Sequence, residues 1–416
     1  MVLADHLRAA LAHRVARLGH GKRGSAVRVC AVRQFPYDTH LRREVDALLR
    51  AGHEVEVVCM SRPGEPLRER DDRLSIWRVP VRHRRGRAGR YLFEHAAFLG
   101  IAVPLVALRH LRRNFDLIQV NSPPDSVALV ALVPKLLGTP VLLDLVEATP
   151  EFFATRFATS SDHPGVRVLA AVEQLAIRFG DAAITGTAQM RERFVSRGAD
   201  PARVEVVLNA SDETIFNPAR FPGRQPTDGT FTLISHGSIE RRYGLDTVIR
   251  ALALLRDDIP GLRFEIYGEG SDRGELELLA AELGVGDRVS FSDGFVAIDE
   301  LVAAIARADA GVVAVKRDPF RDLTHTNKLF DFIAMRRPAI VSWTRSVAGY
   351  FDGAVQFFES DNPRDLARAI SDLHADPSRR QALVKRATEL HEAYRWTRQR
   401  EIYLRVVDEL TAHSRG

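Results

Sequence analysis

Asp318–Val341 reads DPFRDLTHTNKLFDFIAMRRPAIV, and just before it Ala310–Val315 is the apolar run AGVVAV. An uninterrupted apolar run this short predicts a strand buried on both faces, as in a parallel sheet. From Lys328 the period changes. Leu329, Phe330, Ile333 and Ala334 recur at helical spacing, and Lys328 and Asp331 fall on one helical face. Strand, loop and helix start thus make one unit of a doubly wound sheet, with an ammonium and a carboxylate at its mouth. An ammonium in that position meets phosphate oxygens, and a carboxylate accepts hydroxyls such as those of a ribose. Lys328 and Asp331 are therefore candidate nucleotide-binding residues.

The same alternation extends to both sides of this unit. VRVCAV, EVEVVCM, DLIQV, VLLDL, AAITG and VEVVL alternate with helical patterns in the first half, and FTLISHG, RFEIYG, RVSFSDG, AGVVAV and PAIVS do so in the second. Such alternation predicts parallel sheets flanked by helices. Between the two series, Asn209–Thr230 (NASDETIFNPARFPGRQPTDGT) is rich in turn formers and reads as a connection. At 416 residues the chain exceeds one ordinary core. The expected architecture is α/β, with two Rossmann-like doubly wound lobes facing a cleft: an N-terminal domain over 25–208, a linker over 209–229 and a second domain over 230–395. A leader, 1–24, precedes them and a helix, 396–416, follows.

Cys30 and Cys59 lie inside apolar strand-like runs. That suits core residues in a reducing compartment and excludes a disulfide scaffold or a cysteine-rich zinc site. Fifty-nine basic and 54 acidic side chains leave a net charge of +5, and much of the surplus sits in Arg82–Arg90 (RHRRGRAGR). This is a patch on an otherwise balanced chain, so nucleic acid is not an expected partner. In Met1–Gly24, Leu3, Leu7, Leu11, Val15 and Leu18 keep helical spacing among Arg8, Arg14 and Arg17, without the apolar core and cleavage site of a signal peptide. Such a segment would lie on an anionic bilayer or pack its leucines on the protein itself. Ala96–Leu108 (AAFLGIAVPLVAL) contains Pro104 and is too short to span hydrocarbon. It reads as a core helix or, with the arginine patch, as a membrane-facing surface. The expected location is cytoplasmic, peripheral at the inner face of the cell membrane.

Ligands of doubly wound sheets bind beyond the carboxyl ends of the strands. The loops Gln34–His40, Ser235–Gly244, Gly268–Gly274 and Arg317–Asn327 occupy such positions. Gly19–Gly24 (GHGKRG) matches a dinucleotide fingerprint but precedes the first strand, which is the wrong context. GEGSDRG, from Gly268, does follow a strand; Gly268 and Gly270, flanking Glu269, admit close approach of a ligand or make a simple tight turn. HGSIERRYG, His236–Gly244, joins a strand to a helix, so its free amides favour an anion. Gly237 and Ser238 open that loop, Arg242 adds charge, and His236 is a donor to substrate or a turn residue. In the first half, DTHLRRE (38–44), NSPPDS (121–126) and DLVEATPE (144–151) follow strands. Their carboxylates, Glu147 among them, would position hydroxyls or accept a proton, although helix caps and surface charges use the same residues. No D-x-D, no H-E-x-x-H and no histidines at ligand spacing occur. No metal and no cofactor are therefore expected, and leaving-group charge would fall to Lys328, Arg242 and backbone amides.

In this order and spacing the motifs resemble those of the family 4 (group 1) glycosyltransferases of the GT-B fold, over almost the whole chain. DTHLRREVDALLRAGHEVEVVCM is similar to the first helix and second strand of a variant group with R-R-E in place of a glycine-rich loop. VLLDLVEATPEFF resembles the acceptor-side segment, FNP the exit into the linker, and HGSIERRYGLDTVIRALALL the phosphate-binding opening of the second domain. IYGEG resembles its second glycine turn, NKLFDFIAMRRPAIVS the donor-binding helix, and YRWTRQREIYLRVVDEL a terminal helix that crosses back to the first lobe. The resemblance implies retaining transfer of a sugar from a nucleotide-diphosphate donor to a saccharide, lipid-linked or small-molecule acceptor. It implies that Asp331 holds the ribose, that Lys328 and Arg242 hold the diphosphate, and that Asp322 and His236 contact the sugar. The family's glutamate pair falls on Leu323 and Asp331, its arginine and lysine on Ser238 and Tyr243, and its acceptor-segment histidine on Val146. Those departures keep two rival expectations: a catalytically silent sugar-nucleotide-binding partner protein, and a nucleotide-sugar epimerase of the same fold. A nicotinamide dehydrogenase is disfavoured by the misplaced fingerprint.

Overall fold

The structure is a computed structural model that describes residues 26–83, 88–221, 223 and 229–413. The leader 1–24 with its GHGKRG, and residues 84–87 of the arginine patch, lie outside the described residues. The chain divides into two compact units. One extends to Val207 and resumes at Arg400; the other is Leu208–Gln399.

The first unit holds β1 (Arg28–Pro36), β2 (Glu54–Met60), β3 (Arg68–Asp71), β4 (Leu74–Val79), β5 (Leu117–Ser122), β6 (Val141–Leu145), β7 (Ala182–Thr185) and β8 (Val204–Val206). They form one sheet in the order β3-β4-β2-β1-β5-β6-β7-β8. All neighbours are parallel except the β3–β4 pair. The apolar runs become central strands because both of their faces are covered, and β5 and β6 are buried at every position. The edge strand β3, RERD, is exposed throughout, and its charges discourage pairing with another chain. The connections β4→β5, β5→β6 and β6→β7 all advance the same way across the sheet. Right-handed crossovers therefore place Ala88–Arg113, Asp125–Leu136 and Thr149–Phe179 on one face. The β1→β2 connection runs the other way and places Thr39–Arg50 on the opposite face. Asp38 caps that helix, its Oδ1 accepting from the Leu41 amide at 3.2 Å.

The apolar stretch Ala96–Leu108 proves to be the middle of a longer helix, of which Gly89–Arg113 is long and apolar enough to cross a bilayer. Sequence reading stopped the helix at its apolar segment. In the fold, Phe98, Ala102 and Val106 are fully buried along one stripe of it. The helix thus covers the sheet, with charged ends that extend it beyond the apolar stretch. The terminal helix Trp396–His413 belongs to the first unit from Arg400 onward. There Tyr403 is fully buried and donates to Gln119 Oε1 at 2.6 Å.

The second unit holds β9 (Phe231–His236), β10 (Leu262–Tyr267), β11 (Val289–Phe291), β12 (Ala310–Val313), β13 (Ala339–Ser342) and β14 (Gln356–Phe358), in the order β11-β10-β9-β12-β13-β14. All are parallel. The chain leaves β9 towards β10 and later returns to its other side as β12, which makes the β9/β12 boundary the topological switch point. The stretch 209–229 that the sequence reads as a linker falls within the second unit, which begins at Leu208. Leu208 N donates to Gln399 Oε1 at 2.9 Å, Asn209 Nδ2 to Asn327 Oδ1 at 2.7 Å, and Ser211 Oγ to Asp331 Oδ1. Two of the polar residues that made the stretch look like a connection, Asn209 and Ser211, make side-chain hydrogen bonds within the second unit.

Candidate active site

At the β9/β12 switch point the loop Gly237–Gly244 faces the loop that follows β12 and the helix Asn327–Ala334. Lys328 sits at the start of that helix, where unpaired amides and the helix dipole already favour an anion. Its stem runs beside Gly237, where an added Cβ would stand 3.1 Å from Lys328 Cε. Its Nζ lies 4.1 Å from the centroid of the Tyr243 ring. The guanidinium carbons of Arg242 and Arg321 lie 5.2 and 5.4 Å from the same centroid. Three cations therefore gather about one aromatic ring.

The electrostatics of this cluster are unbalanced. Burial, and then Arg321 and Arg242, push the Lys328 ammonium down to a pKa of about 7, against the opposing pull of Asp331 and Glu240. Arg242 Nε lies 3.0 Å from Glu240 Oε2. Arg321 is only 7% exposed, and its Nε has no hydrogen-bond partner among the described residues. A buried guanidinium edge without a partner is costly unless an anion completes it. A group with several negative oxygens, such as a diphosphate, matches both the charge and the donors.

Asp331 and His236 adjoin the cluster. His236 stands edge-on to Phe332 with ring centroids 5.4 Å apart, and its Nε2 lies 3.4 Å from Asp331 Oδ2 without the alignment of a hydrogen bond. Burial and then Lys328 lower the His236 pKa to about 3. The imidazole is therefore neutral at physiological pH, and the contact with Asp331 is not an ion pair. A neutral imidazole beside a carboxylate suits hydroxyl recognition.

The sequence left the glycine turn as a place of ligand approach or a simple tight turn, and the structure shows a close contact between loops there. A Cβ on Gly268 would come closer than 3.0 Å to the Gly237 backbone, and one on Gly270 closer than 3.0 Å to that of Ile239. Gly237 N donates to Tyr267 O at 2.7 Å and Ile239 N to Glu269 O at 2.9 Å. These glycines let two loops stack backbone on backbone on the side where a Cβ would project. Ser238 is half-buried in the upper loop, and the Glu269 side chain is exposed.

Asp322 also has another occupation. Its carboxylate accepts from Arg317 Nε at 2.9 Å and Nη2 at 3.0 Å, and from the Arg345 amide at 3.0 Å. Arg317 in turn covers the Trp343 ring at 4.4 Å. Asp322 thus braces the loop against the helix Arg345–Phe351, and Leu323 at the family's glutamate position is buried. Glu147 belongs to the first unit, half-buried beyond the end of β6. The sequence missed Arg321, Tyr243 and Ser211. Arg321 lay in a loop already singled out, but nothing local distinguishes it from the other arginine of that loop, Arg317.

The first unit holds a second polar cluster. His40 Nε2 lies 2.7 Å from Asp144 Oδ2 and 3.5 Å from Glu44 Oε1. Gln119 and Asn121 donate to Glu44 Oε2 at 2.8 and 2.9 Å, and Asn121 donates to Asp144 at 2.5 Å. Burial, then Asp144, push the Glu44 carboxyl above its ordinary value, against the opposing pull of His40. Burial alone would lower the His40 pKa, but Asp144 and Glu44 together hold it above its ordinary value. The three side chains have donor atoms within 4.8 Å of one another. Sequence reading named the segments 38–44 and 144–151 only as stretches that follow strands and did not bring His40, Glu44 and Asp144 together.

Two doubly wound parallel sheets, each with its ligand-facing loops beyond the strand ends, define the GT-B class. The glycosyl transferase 4-like domain model matches residues 37–210 and the glycosyl transferases group 1 model matches residues 220–390. The chain belongs to the family 4 (group 1) glycosyltransferases. It is 29% identical over 229 residues to a glycogen synthase of Mycobacterium tuberculosis, a match covering 53% of this chain and 52% of that one. The chain thus spans about half the length of that relative. Sucrose-phosphate synthase from Thermosynechococcus elongatus superposes with a TM-score of 0.74 at 18% identity, covering 93% of this chain and 100% of the other. Anabaena HepE, solved with UDP-glucose, superposes with a TM-score of 0.66 at 15% identity, over 92% and 100% of the two chains.

Proposed function

We propose that this chain transfers a sugar, with retention of configuration and without a metal, from a nucleotide-diphosphate donor to a hydroxyl of a saccharide, lipid-linked or small-molecule acceptor. The observation that carries the reading is the trio around Tyr243 at the switch point of the second sheet: buried Lys328 and Arg321, with half-exposed Arg242 beside them. Lys328, Arg242 and Arg321 hold the diphosphate, Asp331 the ribose, and His236 a sugar hydroxyl. That HepE was solved with UDP-glucose supports a donor of this chemistry on this fold. The test is a thermal shift with UDP-, GDP- and ADP-sugars, since a ligand of the native state raises its melting temperature. Release of nucleoside diphosphate is then followed with and without acceptor, in EDTA. A stabilising sugar nucleotide that turns over with acceptor is the expected result; dependence on added divalent ion would refute the metal-free mechanism.

One observation favours a second reading. The family's first glutamate is replaced by buried Leu323, and Asp322 beside it is held by Arg317. A chain that binds the donor and never turns it over would be a sugar-nucleotide-binding partner protein.

We also infer attachment to an anionic membrane through the helical face of the first unit. Phe93 and Leu136 are 73% and 78% exposed there, and exposed Arg156 and Arg167 adjoin exposed Phe157 and Val168. Apolar side chains interleaved with cations suit anionic lipid. Sedimentation with phosphatidylglycerol vesicles is expected to carry the protein down at low salt, and replacing Phe93 and Leu136 with serine is expected to release it. Equal recovery with phosphatidylcholine vesicles, or no recovery at all, would count against this surface.

A further inference from the structure

The first unit has its own switch point, between β1 and β5, because the chain leaves β1 towards β2 and returns on the other side as β5. Three neutral side chains from separate elements meet there. Gln34 lies near the end of β1, Ser126 in the turn after β5, and His95 on the helix Ala88–Arg113. His95 Nδ1 lies 2.5 Å from Gln34 Oε1, and His95 Nε2 lies 2.8 Å from Ser126 Oγ. The amide oxygen accepts only, so the ring proton sits on Nδ1 and the serine hydroxyl donates to Nε2. Burial holds the His95 pKa below its ordinary value, which keeps the ring neutral.

This chain of hydrogen bonds ends in unused capacity. Gln34 is fully buried, and its Nε2 has no hydrogen-bond partner among the described residues. A buried donor left unpaired is unfavourable, so a ligand oxygen that completes it is favoured. Ser126 Oγ, having given its proton to the imidazole, keeps lone pairs for an incoming hydroxyl. Arg33, next along β1, projects to the opposite face and is tied to Asp38 at 2.8 Å. Tyr91, one turn before His95 on the same helix, has its phenol pushed up to about 12 by burial and by Asp125 and Glu147. The loops that follow β5 and β6 therefore border the same region.

We propose that Gln34, His95 and Ser126 form a subsite for a neutral polyhydroxyl compound, which is the acceptor if the transferase reading holds. Hydroxyls both give and accept, so one molecule can accept from Gln34 Nε2 and donate to Ser126 Oγ. A charged acceptor group would find no opposite charge among these three residues.

The probes are glucose, maltose and myo-inositol, with glucose 6-phosphate as the charged comparison. Binding to the full chain is read by saturation-transfer difference NMR. At least one neutral probe binds the native protein. Ser126→Ala weakens it about five-fold, as befits one neutral hydrogen bond. His95→Leu weakens it further, and His95→Gln restores part of the loss. The thermal shifts given by sugar nucleotides stay the same in all three variants. If His95→Leu fails to fold, Ser126→Ala carries the test alone. Silence of all three neutral probes, preference for the phosphorylated sugar, or indifference to Ser126→Ala overturns the subsite. A neutral probe bound by a protein that binds no sugar nucleotide would leave the subsite standing and bring down the transferase reading.

Discussion

Lys328→Met is expected to weaken nucleoside diphosphate binding on the order of 100-fold, the loss that follows from removing one buried charge-assisted contact, while making the unliganded protein more stable at pH 6. The two effects have one origin. Lys328 is held among Arg321, Arg242 and a tyrosine ring with little water, and a methionine keeps its length and apolar stem without the charge. The folded pKa is about 7 and the ordinary value 10.5. Between those values the unfolded chain carries a proton that the folded one lacks, so stability rises with pH across that window. Below about 7 both states are protonated and the folded state bears the full cost of the buried charge. The advantage of the methionine variant is therefore largest at acid pH and shrinks towards pH 10.

Binding reverses the balance. A diphosphate raises the Lys328 pKa, so association near pH 7.5 takes up a proton and affinity falls as pH rises further. Calorimetry in buffers of different ionisation enthalpy measures that uptake, which should vanish in Lys328→Met. Pyrophosphate binding that is indifferent to pH between 6.5 and 8.5, or a methionine variant that binds like the parent, would take Lys328 out of the donor site.

What could be read from the sequence was local. The switch from strand period to helix period between Ala310 and Ala334 located the switch-point loop, and the spacing of Lys328 and Asp331 put both on the face that meets it. What could not be read depends on contacts between segments far apart in the chain. Arg321 looks like any loop arginine until Tyr243 and Lys328 arrive beside it from two other segments. Ser211 sits in a stretch whose composition signals a connection, yet its hydroxyl is a ligand of Asp331. For Asp322, adjacency to the missing glutamate suggested chemistry, and the structure adds an ion pair with Arg317, five residues away. His40 and Glu44 lie in a segment that the sequence marked only as following a strand, and their partner Asp144 lies on another strand a hundred residues away.

Gly268→Ala separates stacking from ligand approach, the two uses this glycine could have. Its φ of +146° belongs to a region open essentially only to glycine, and the added methyl would overlap the Gly237 backbone. Strain and overlap together are expected to destabilise the second unit by about 3 kcal/mol. For a unit of this size that lowers its melting temperature by roughly 6–12 °C. Relief requires the Gly237 loop to move, and Lys328 Cε lies against that loop, so donor affinity falls with stability. Gly274→Ala is the control, because a Cβ there meets nothing within 4 Å and the position is helical. It is expected to be neutral or to stabilise by up to about 1 kcal/mol. Differential scanning calorimetry distinguishes the cases. A Gly268→Ala protein that melts with the parent but no longer binds a sugar nucleotide would mean that the ligand, and not Gly237, is what passes close to position 268.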